Sequence, residues 1–268
     1  MSAIQYTSGI ITSALFSSKV MEYKMLSTDS IVSSPPDTVS IIIPALNEEL
    51  YIERCLKSLR NQSIALQYPQ YFEYILVDNG SRDNTIKLAT SYVDKIIVSP
   101  KGKLTARNIG TLYSKGNIIV AVDADIEFPY HWLNTLLKPF NNPDTVAVSG
   151  SIIDNNYPGV PKPLYILGAT LGRTIVYPQR MMGGNCSYYK HLFYLSGQFN
   201  TSINQTDVKQ MVQEEELGFG KRLSKYGKVI YKHNAPGIHL GSDRIKCRFF
   251  PKSKNCERYK IGIERFGK

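Results

Sequence analysis

The sequence predicts an α/β fold, a mainly parallel sheet flanked by helices, with a less regular second half. Three observations carry this. Between Val39 and Val148, short apolar β-branched runs alternate with segments whose apolar residues recur every three or four positions. Strands separated by helices of that length build βαβ units. The polar residues Asn47, Asp78, Asp123 and Asp125 each fall just past such a run, where open parallel sheets bind ligands. With 43% hydrophobic and 20% charged residues in 268, the chain has globular composition, which excludes a wholly disordered or fibrous protein.

The elements follow in order. Val39 to Ile43 is a buried strand stopped by Pro44. Asn47 is placed to cap the next helix, with Glu48 and Glu49 in its first turn and Ile52, Cys55, Leu56 and Leu59 on its apolar face. Tyr74 to Val77 is the second strand, and it runs into Asp78-Asn79-Gly80 before a helix from about Asp83 to Tyr92. Lys95 to Val98 is the third strand. The helix after it carries Leu104, Ala106, Ile109 and Leu112 and ends near Gly116. Asn117 to Val122 is a fourth strand that delivers Asp123-Ala124-Asp125. His131 to Phe140 is helical, and Thr145 to Val148 is strand again. Beyond an apolar stretch from Tyr157 to Pro178 come a tight loop at Met181 to Asn185, a helix from about Asp207 to Tyr226 and a last strand at Lys228 to Tyr231, followed by His233 and His239.

Outside this core, residues 1–37 are rich in Ser and Thr and end in Pro35-Pro36-Asp37, the composition of a flexible leader or linker. The uncharged start, Met1 to Ser18, is broken by Ser, Thr and Gln and lacks a basic head, so it reads as neither anchor nor signal. Residues 38–243 are expected to form one folded domain, with halves of about 38–150 and 151–243. The net charge of +10 is concentrated in residues 244–268, where nine Lys and Arg meet two acids, giving +7. Phe249, Phe250, Tyr259 and Phe266 are interleaved there. Such a tail suits an anionic membrane surface, nucleic acid, or solvent alone. Four cysteines without a CxxC pair indicate neither a zinc site nor a disulfide framework, and the expected place is the cytoplasm.

Two carboxylates flanking one small residue, straight after a buried strand, can chelate one hard divalent cation whose other ligands come from water and substrate phosphates. That makes Asp123 and Asp125 candidate ligands of Mn²⁺ or Mg²⁺. A pair of turn-forming aspartates is the competing reading. Asp78 can accept a hydrogen bond from a base N–H. Lys101, Lys103 and Arg107 supply cations that could stabilise a departing diphosphate, although a solvated basic face explains the lysines as well. Glu216 shares a helix face with Phe219 and Leu223 and is a candidate general base, whereas Glu214 and Glu215 read as a solvated helix start. His239 is a candidate additional metal ligand.

Taken together, Val39–Glu49, Ile75–Ser81, Ala106–Gly110, Val122–Asp125, Gly183–Asn185 and Glu215–Leu223 resemble, in this order, the motifs of the family 2 glycosyltransferases, which have the GT-A fold. The resemblance covers about residues 38–235. It implies a nucleotide-sugar donor, UDP- or GDP-linked, held near Pro44, Ala45, Glu48, Asp78, Asp123 and Ala124. Asp123 and Asp125 would hold Mn²⁺ or Mg²⁺ against the diphosphate, with Arg107 helping to neutralise it and Glu127 as a further ligand. Gly183, Gly184 and Asn185 match the acceptor-loop signature, and the family's base falls on Glu216, with inversion at the anomeric carbon. The family usually has Asp at that place, which leaves Glu215 open as the base. The next acidic position of the motif is Gly218 here.

The expected activity is transfer of one sugar to a hydroxyl or phosphate acceptor, a lipid carrier or glycan precursor, by an enzyme peripheral to the cytoplasmic membrane face. A nucleotidyltransferase that makes nucleotide sugars is the alternative enzyme, but its Gly-rich basic phosphate loop is replaced by the acidic Ala45–Glu49. A basic nucleic-acid-binding module is the non-enzymatic alternative. The confinement of the charge to one terminal segment argues against nucleic acid.

Overall fold

In the computed structural model the described residues are 37–154, 171 and 179–241. The leader before Asp37, the Tyr157–Pro178 stretch apart from Leu171, and the basic tail lie outside them. β1 (Val39–Ala45) is buried along its whole length. Ile41 and Ile43 face one layer of the core and Ile42 the other, which is why the run is continuously apolar rather than alternating. β1 pairs with its neighbour β4 only as far as Ile42, so Pro44, which has no N–H, falls where the two have parted.

The remaining elements are α1 (Ile52–Arg60), α2 (Ser63–Gln67), β2 (Phe72–Asp78), α3 (Thr85–Ala89), β3 (Lys95–Val98), α4 (Lys103–Tyr113), β4 (Ile118–Val122), β5 (Ile126–Glu127), α5 (Trp132–Leu137), β6 (Thr145–Asp154), β7 (Asn185–Tyr189), α6 (Lys190–Leu195), α7 (Val208–Val212), α8 (Phe219–Leu223) and β8 (Lys228–His239). The sheet order is β3-β2-β1-β4-β7-β6-β8-β5. Strands β3, β2, β1 and β4 are parallel, β7 is antiparallel to both its neighbours, β6 and β8 are parallel, and β5 is antiparallel to β8. The chain runs outward from β1 to β3 and then returns to β4 on the other side of β1. That reversal opens a crevice at the carboxyl ends of β1 and β4, the usual ligand position in open α/β sheets. α4 closes one face against β1 and β2. A Cβ at Gly110 would overlap Ile42 Cγ2 and stand 3.0 Å from Val77 Cγ2, so only glycine lets the helix come this close.

Several sequence expectations change. Asn47 does not cap α1. It takes a left-handed φ of 56°, and its side chain accepts from the Arg82 N–H, while Tyr51 stands at the helix start. Glu48 and Glu49 therefore precede the helix. Leu112 is exposed, because α4 needs only one apolar face. The expected helix Asp83–Tyr92 is shortened to Thr85–Ala89. β5 and β7 were not expected, since β7 (Asn-Cys-Ser-Tyr-Tyr) has little aliphatic signal. β8 continues through His233 to His239, so both histidines lie within a strand. The Asp207–Tyr226 helix appears as Val208–Leu223, capped by the Asp207 carboxylate and widened into a π-turn over Gln213–Gly218.

One partly buried carboxylate ties the parallel half together. Glu73 on β2 accepts from Ser40 Oγ on β1 (2.8 Å), from the Lys115 N–H in the turn before β4 (2.9 Å) and from Lys95 Nζ on β3 (3.2 Å). Burial alone would raise its pKa, but those hydrogen bonds outweigh burial and hold it below the ordinary value of 4.5. A depressed pKa contributes stability that is full above the unfolded value and is lost as pH falls through the folded one. Glu73→Gln is expected to cost about 1–3 kcal/mol near neutral pH and to flatten the fall in urea midpoint below about pH 4.5. An unchanged midpoint in the variant would show that the three donors find other partners.

Candidate active site

Three loops meet at the crevice and are stitched to one another by side chains. After β1, the Asn47 N–H donates to Ser81 Oγ, the Glu48 N–H to Thr85 Oγ1, and the Glu49 carboxylate accepts from Asn84. After β2, the Asp78 carboxylate accepts from the Gly80 and Ser81 N–H groups, and Gly80 supplies the positive φ this turn needs. Asn79 Nδ2 donates to Ser99 Oγ, the Pro100 carbonyl and the Gly102 carbonyl, which fixes the loop that brings Lys101 and Lys103 forward. The result is a cleft of about 430 Å³ whose walls include Pro44, Ala45, Glu48, Lys101, Lys103, Asp123, Ala124 and Asp125.

A fourth piece of chain completes the wall. Gln205 and Thr206 line the cleft from the second half. Gln205 Oε1 accepts from the Leu104 and Thr105 N–H groups at the start of α4, and its Nε2 donates to Thr105 Oγ1. Gly102, at φ 131°, leaves the room this side chain occupies. The same strap is held by Asn108, which exchanges two hydrogen bonds with the Phe199 backbone, and by Glu214, which accepts from the Asn200 N–H.

A cluster of four charges runs from the cleft wall to the buried layer beneath it. Lys103 Nζ is 2.8 Å from Asp123 Oδ1 and 3.6 Å from Glu215 Oε2. Arg107 Nη2 is 2.8 Å from Asp123 Oδ1, and Arg107 Nη1 pairs with Glu215 Oε1. Arg107 has no solvent exposure, whereas the Lys103 side chain is 28% exposed. Burial would raise the Asp123 carboxyl, but the Lys103 and Arg107 charges beside it hold it below its ordinary value. Gly183 and Gly184 exist to admit these carboxylates. A Cβ at Gly183 would overlap the Glu215 carboxylate, and one at Gly184 would overlap that of Asp123.

Asp125 Oδ2 faces His239 Nε2 at 3.3 Å, with Gly241 packed beside both. Among the described residues no group of three or more His, Cys, Asp or Glu is gathered for a metal. The donor set still suits Mn²⁺ or Mg²⁺. Asp125 offers a hard carboxylate oxygen on the cleft wall, with the His239 imidazole beside it, and hard divalent ions commonly complete their shell with phosphate oxygens and water.

The sequence-derived residues sort as follows. Pro44, Ala45, Glu48, Asp123, Ala124 and Asp125 meet at the cleft, and His239 joins Asp125. Asp78 is buried below it, its carboxylate occupied by backbone N–H groups. Arg107 lies under the floor rather than on the wall, because the Asp123 and buried Glu215 carboxylates hold it there, and Lys103 takes the facing position. Asn185 cannot meet an acceptor. It is fully buried, accepting from Trp132 Nε1 and donating to the Ser151 and Ala235 carbonyls. Glu127 does not reach Asp125's wall, since it turns to Arg54 at 2.5 Å in a separate groove. Glu214 and Glu215 are not a solvated helix start. The π-turn carries both inward, Glu214 to Arg222 and Glu215 to Arg107. Glu216 is 9% exposed and pairs with Arg180. Gln205 and Arg180 carried no signal in spacing or composition.

Comparison with known proteins adds three findings. Residues 40–204 match the family model described as Glycosyl transferase family 2. Among curated proteins, the chain is 32% identical over 122 residues to the glycosyltransferase AglE of Haloferax volcanii, covering 42% of this chain and 39% of that protein. It is 31% identical over 103 residues to an undecaprenyl-phosphate 4-deoxy-4-formamido-L-arabinose transferase of Pseudomonas aeruginosa, covering 35% of this chain and 30% of that one. The chain thus spans well under half of these relatives. Among solved structures, the mannosyltransferase PcManGT from Pyrobaculum calidifontis, in complex with GDP-Man and Mn²⁺, superposes with a TM-score of 0.63 at 19% identity, over 82% of this chain and 63% of that one.

The charge cluster makes a direct prediction. Arg107→Met strands Asp123 and the buried Glu215 and is expected to cost about 3–5 kcal/mol in urea unfolding. Adding Glu215→Met should recover a large part of that loss. Two additive losses would show that the pair is not coupled.

Proposed function

The chain belongs to glycosyl transferase family 2 and is a glycosyltransferase of GT-A fold, and from that premise we propose that it is a metal-dependent inverting enzyme moving one sugar from a UDP- or GDP-sugar to a hydroxyl or phosphate acceptor. The observation that carries this is the cleft at the sheet's reversal point, where Asp123, Asp125 and Lys103 share one wall. The acceptor class, a lipid carrier or glycan precursor, is supported by the undecaprenyl-phosphate relative.

Base and ribose lie against Pro44, Ala45 and Glu48 in this reading, with the diphosphate between Lys103 and Asp125. Asp125 and His239, with Asp123 beside them, would hold Mn²⁺ or Mg²⁺, whose chemistry is to neutralise the charge that builds on the departing diphosphate. Lys103 adds a cation on the same side and Arg107 fixes Lys103's partners from below. The acceptor oxygen bonds to the anomeric carbon as the bond from that carbon to the diphosphate oxygen breaks, its electron pair leaving with the nucleoside diphosphate. A hydroxyl acceptor gives its proton to Glu216. Glu216 is preferred to Glu215 because Glu215 is closed in by Arg107 and Lys103. A single displacement inverts the anomeric centre.

Among the described residues no helix is long and apolar enough to cross a membrane. The tail, +7 over residues 244–268 with four aromatics, is proposed as a contact with an anionic membrane face. Co-sedimentation with phosphatidylserine vesicles at low salt should disappear on deleting 244–268. No sedimentation of the full chain would remove the membrane role.

The donor test is a thermal-shift series with UDP- and GDP-sugars, with and without Mn²⁺. A donor at a hundred times its Kd should add about 2.7 kcal/mol, dependent on metal and lost in Asp125→Ala. Glu216→Gln should keep that shift and lose about 10²–10⁴-fold in turnover on a hydroxyl acceptor. Release of pyrophosphate in place of nucleoside diphosphate would instead identify a nucleotidyltransferase.

A further inference from the structure

Arg180 is not part of the mechanism above, yet it sits directly on the proposed base. Its Nε donates to Glu216 Oε2 at 2.5 Å, and its Nη2 lies 2.5 Å from the same oxygen in an ion pair. The main chain reinforces the pairing, because the Met181 N–H donates to the Glu216 carbonyl at 2.8 Å. The next residues, Gly183 and Gly184, lie against the Glu215 and Asp123 carboxylates. Arg180 thus stands at one end of a short segment that crosses from Glu216 to the donor wall.

A guanidinium has five N–H donors in a planar fork. Glu216 occupies one edge of this one, and the side chain remains 31% exposed, against 12% for Glu216. An arginine oriented by a carboxylate on one edge and open on the other is preorganised to receive phosphate or carboxylate oxygens. Lys101 and Lys103 on the donor wall add charge of the same sign.

We propose that Arg180 receives an anionic group of the acceptor, a phosphate or a carboxylate, next to the oxygen that is glycosylated. The inference rests on the glycosyltransferase reading and narrows its acceptor to an acidic one. With a phosphate monoester the attacking oxygen is already deprotonated, so it bonds to the anomeric carbon and the diphosphate leaves with its electron pair without any proton moving. With a carboxylate-bearing sugar the attacking hydroxyl still gives its proton to Glu216. Arg180 is a binding and positioning group in both cases.

The test titrates two matched pairs, geranyl phosphate with geraniol and methyl glucuronide with methyl glucoside, onto the enzyme loaded with nucleoside diphosphate and Mn²⁺. A charged member should bind at least about tenfold more tightly than its neutral twin, the worth of one charge-assisted contact. The preference should vanish in Arg180→Gln and return in part in Arg180→Lys, with nucleoside diphosphate affinity unchanged in both. Which pair shows it separates the phosphate source from the carboxylate source. Equal binding of the twins, binding of neither charged compound, or a preference that survives Arg180→Gln would overturn the proposal. Failure of nucleoside diphosphate to bind at all would instead overturn the donor site.

Discussion

A guanidinium with no access to solvent needs anionic partners, and this requirement organises the active-site floor. Arg107 is delivered by the inner face of α4, and its charge is met from two directions. Asp123 comes from the end of β4 and Glu215 from the π-turn between α7 and α8. Removing a charge from water costs several kcal/mol unless the partners are well placed. The two halves of the domain are therefore held in register at this point by electrostatics as well as by apolar packing. Gly183 and Gly184 are a consequence, because side chains there would displace the carboxylates that Arg107 holds.

The floor also divides labour among cations. Arg107 cannot turn outward without abandoning the Asp123 and Glu215 carboxylates. Lys103, on a flexible stem and partly exposed, is the cation free to exchange a carboxylate for a phosphate in the proposed reaction. Asp125 belongs to a different environment from Asp123, although only Ala124 separates them. One is held by Lys103 and Arg107, the other stands beside His239. Two carboxylates of one short motif are thus given distinct electrostatic surroundings by residues more than a hundred positions apart in sequence.

Much of this was legible in the sequence, for identifiable reasons. The parallel half was readable because β1, β2 and β4 are buried on both faces and so appear as continuous aliphatic runs. Pro44, Asp123 and Asp125 were readable because they fall just after those runs. β7 was not, since a strand containing Asn185, Cys186 and Ser187 is stabilised by its neighbours rather than by its own composition. The inward turn of Glu214 and Glu215 escaped because a 3.6-residue period does not describe a π-turn. Asn185 looked like an acceptor-facing polar residue, yet its amide is fully used in joining α5, β6 and the β8 strand. Gln205 meets the start of α4 a hundred residues away, a contact that no local pattern encodes.

That contact bears on how such an enzyme can be altered. Gln205 belongs by sequence to the half that would select the acceptor, but by position it lines the cleft proposed for the donor and holds the first turn of α4. The same strap is hydrogen-bonded at Asn200 to Glu214, next to Glu215 and Glu216 in the chain. On the proposed function, donor and acceptor selectivity would consequently not be separable modules in this chain. A chimera joined between the halves, or a loop graft meant to change only the acceptor, would carry away a piece of the donor wall. Exchanging specificity between relatives would require moving residues 199–206 together with the start of α4.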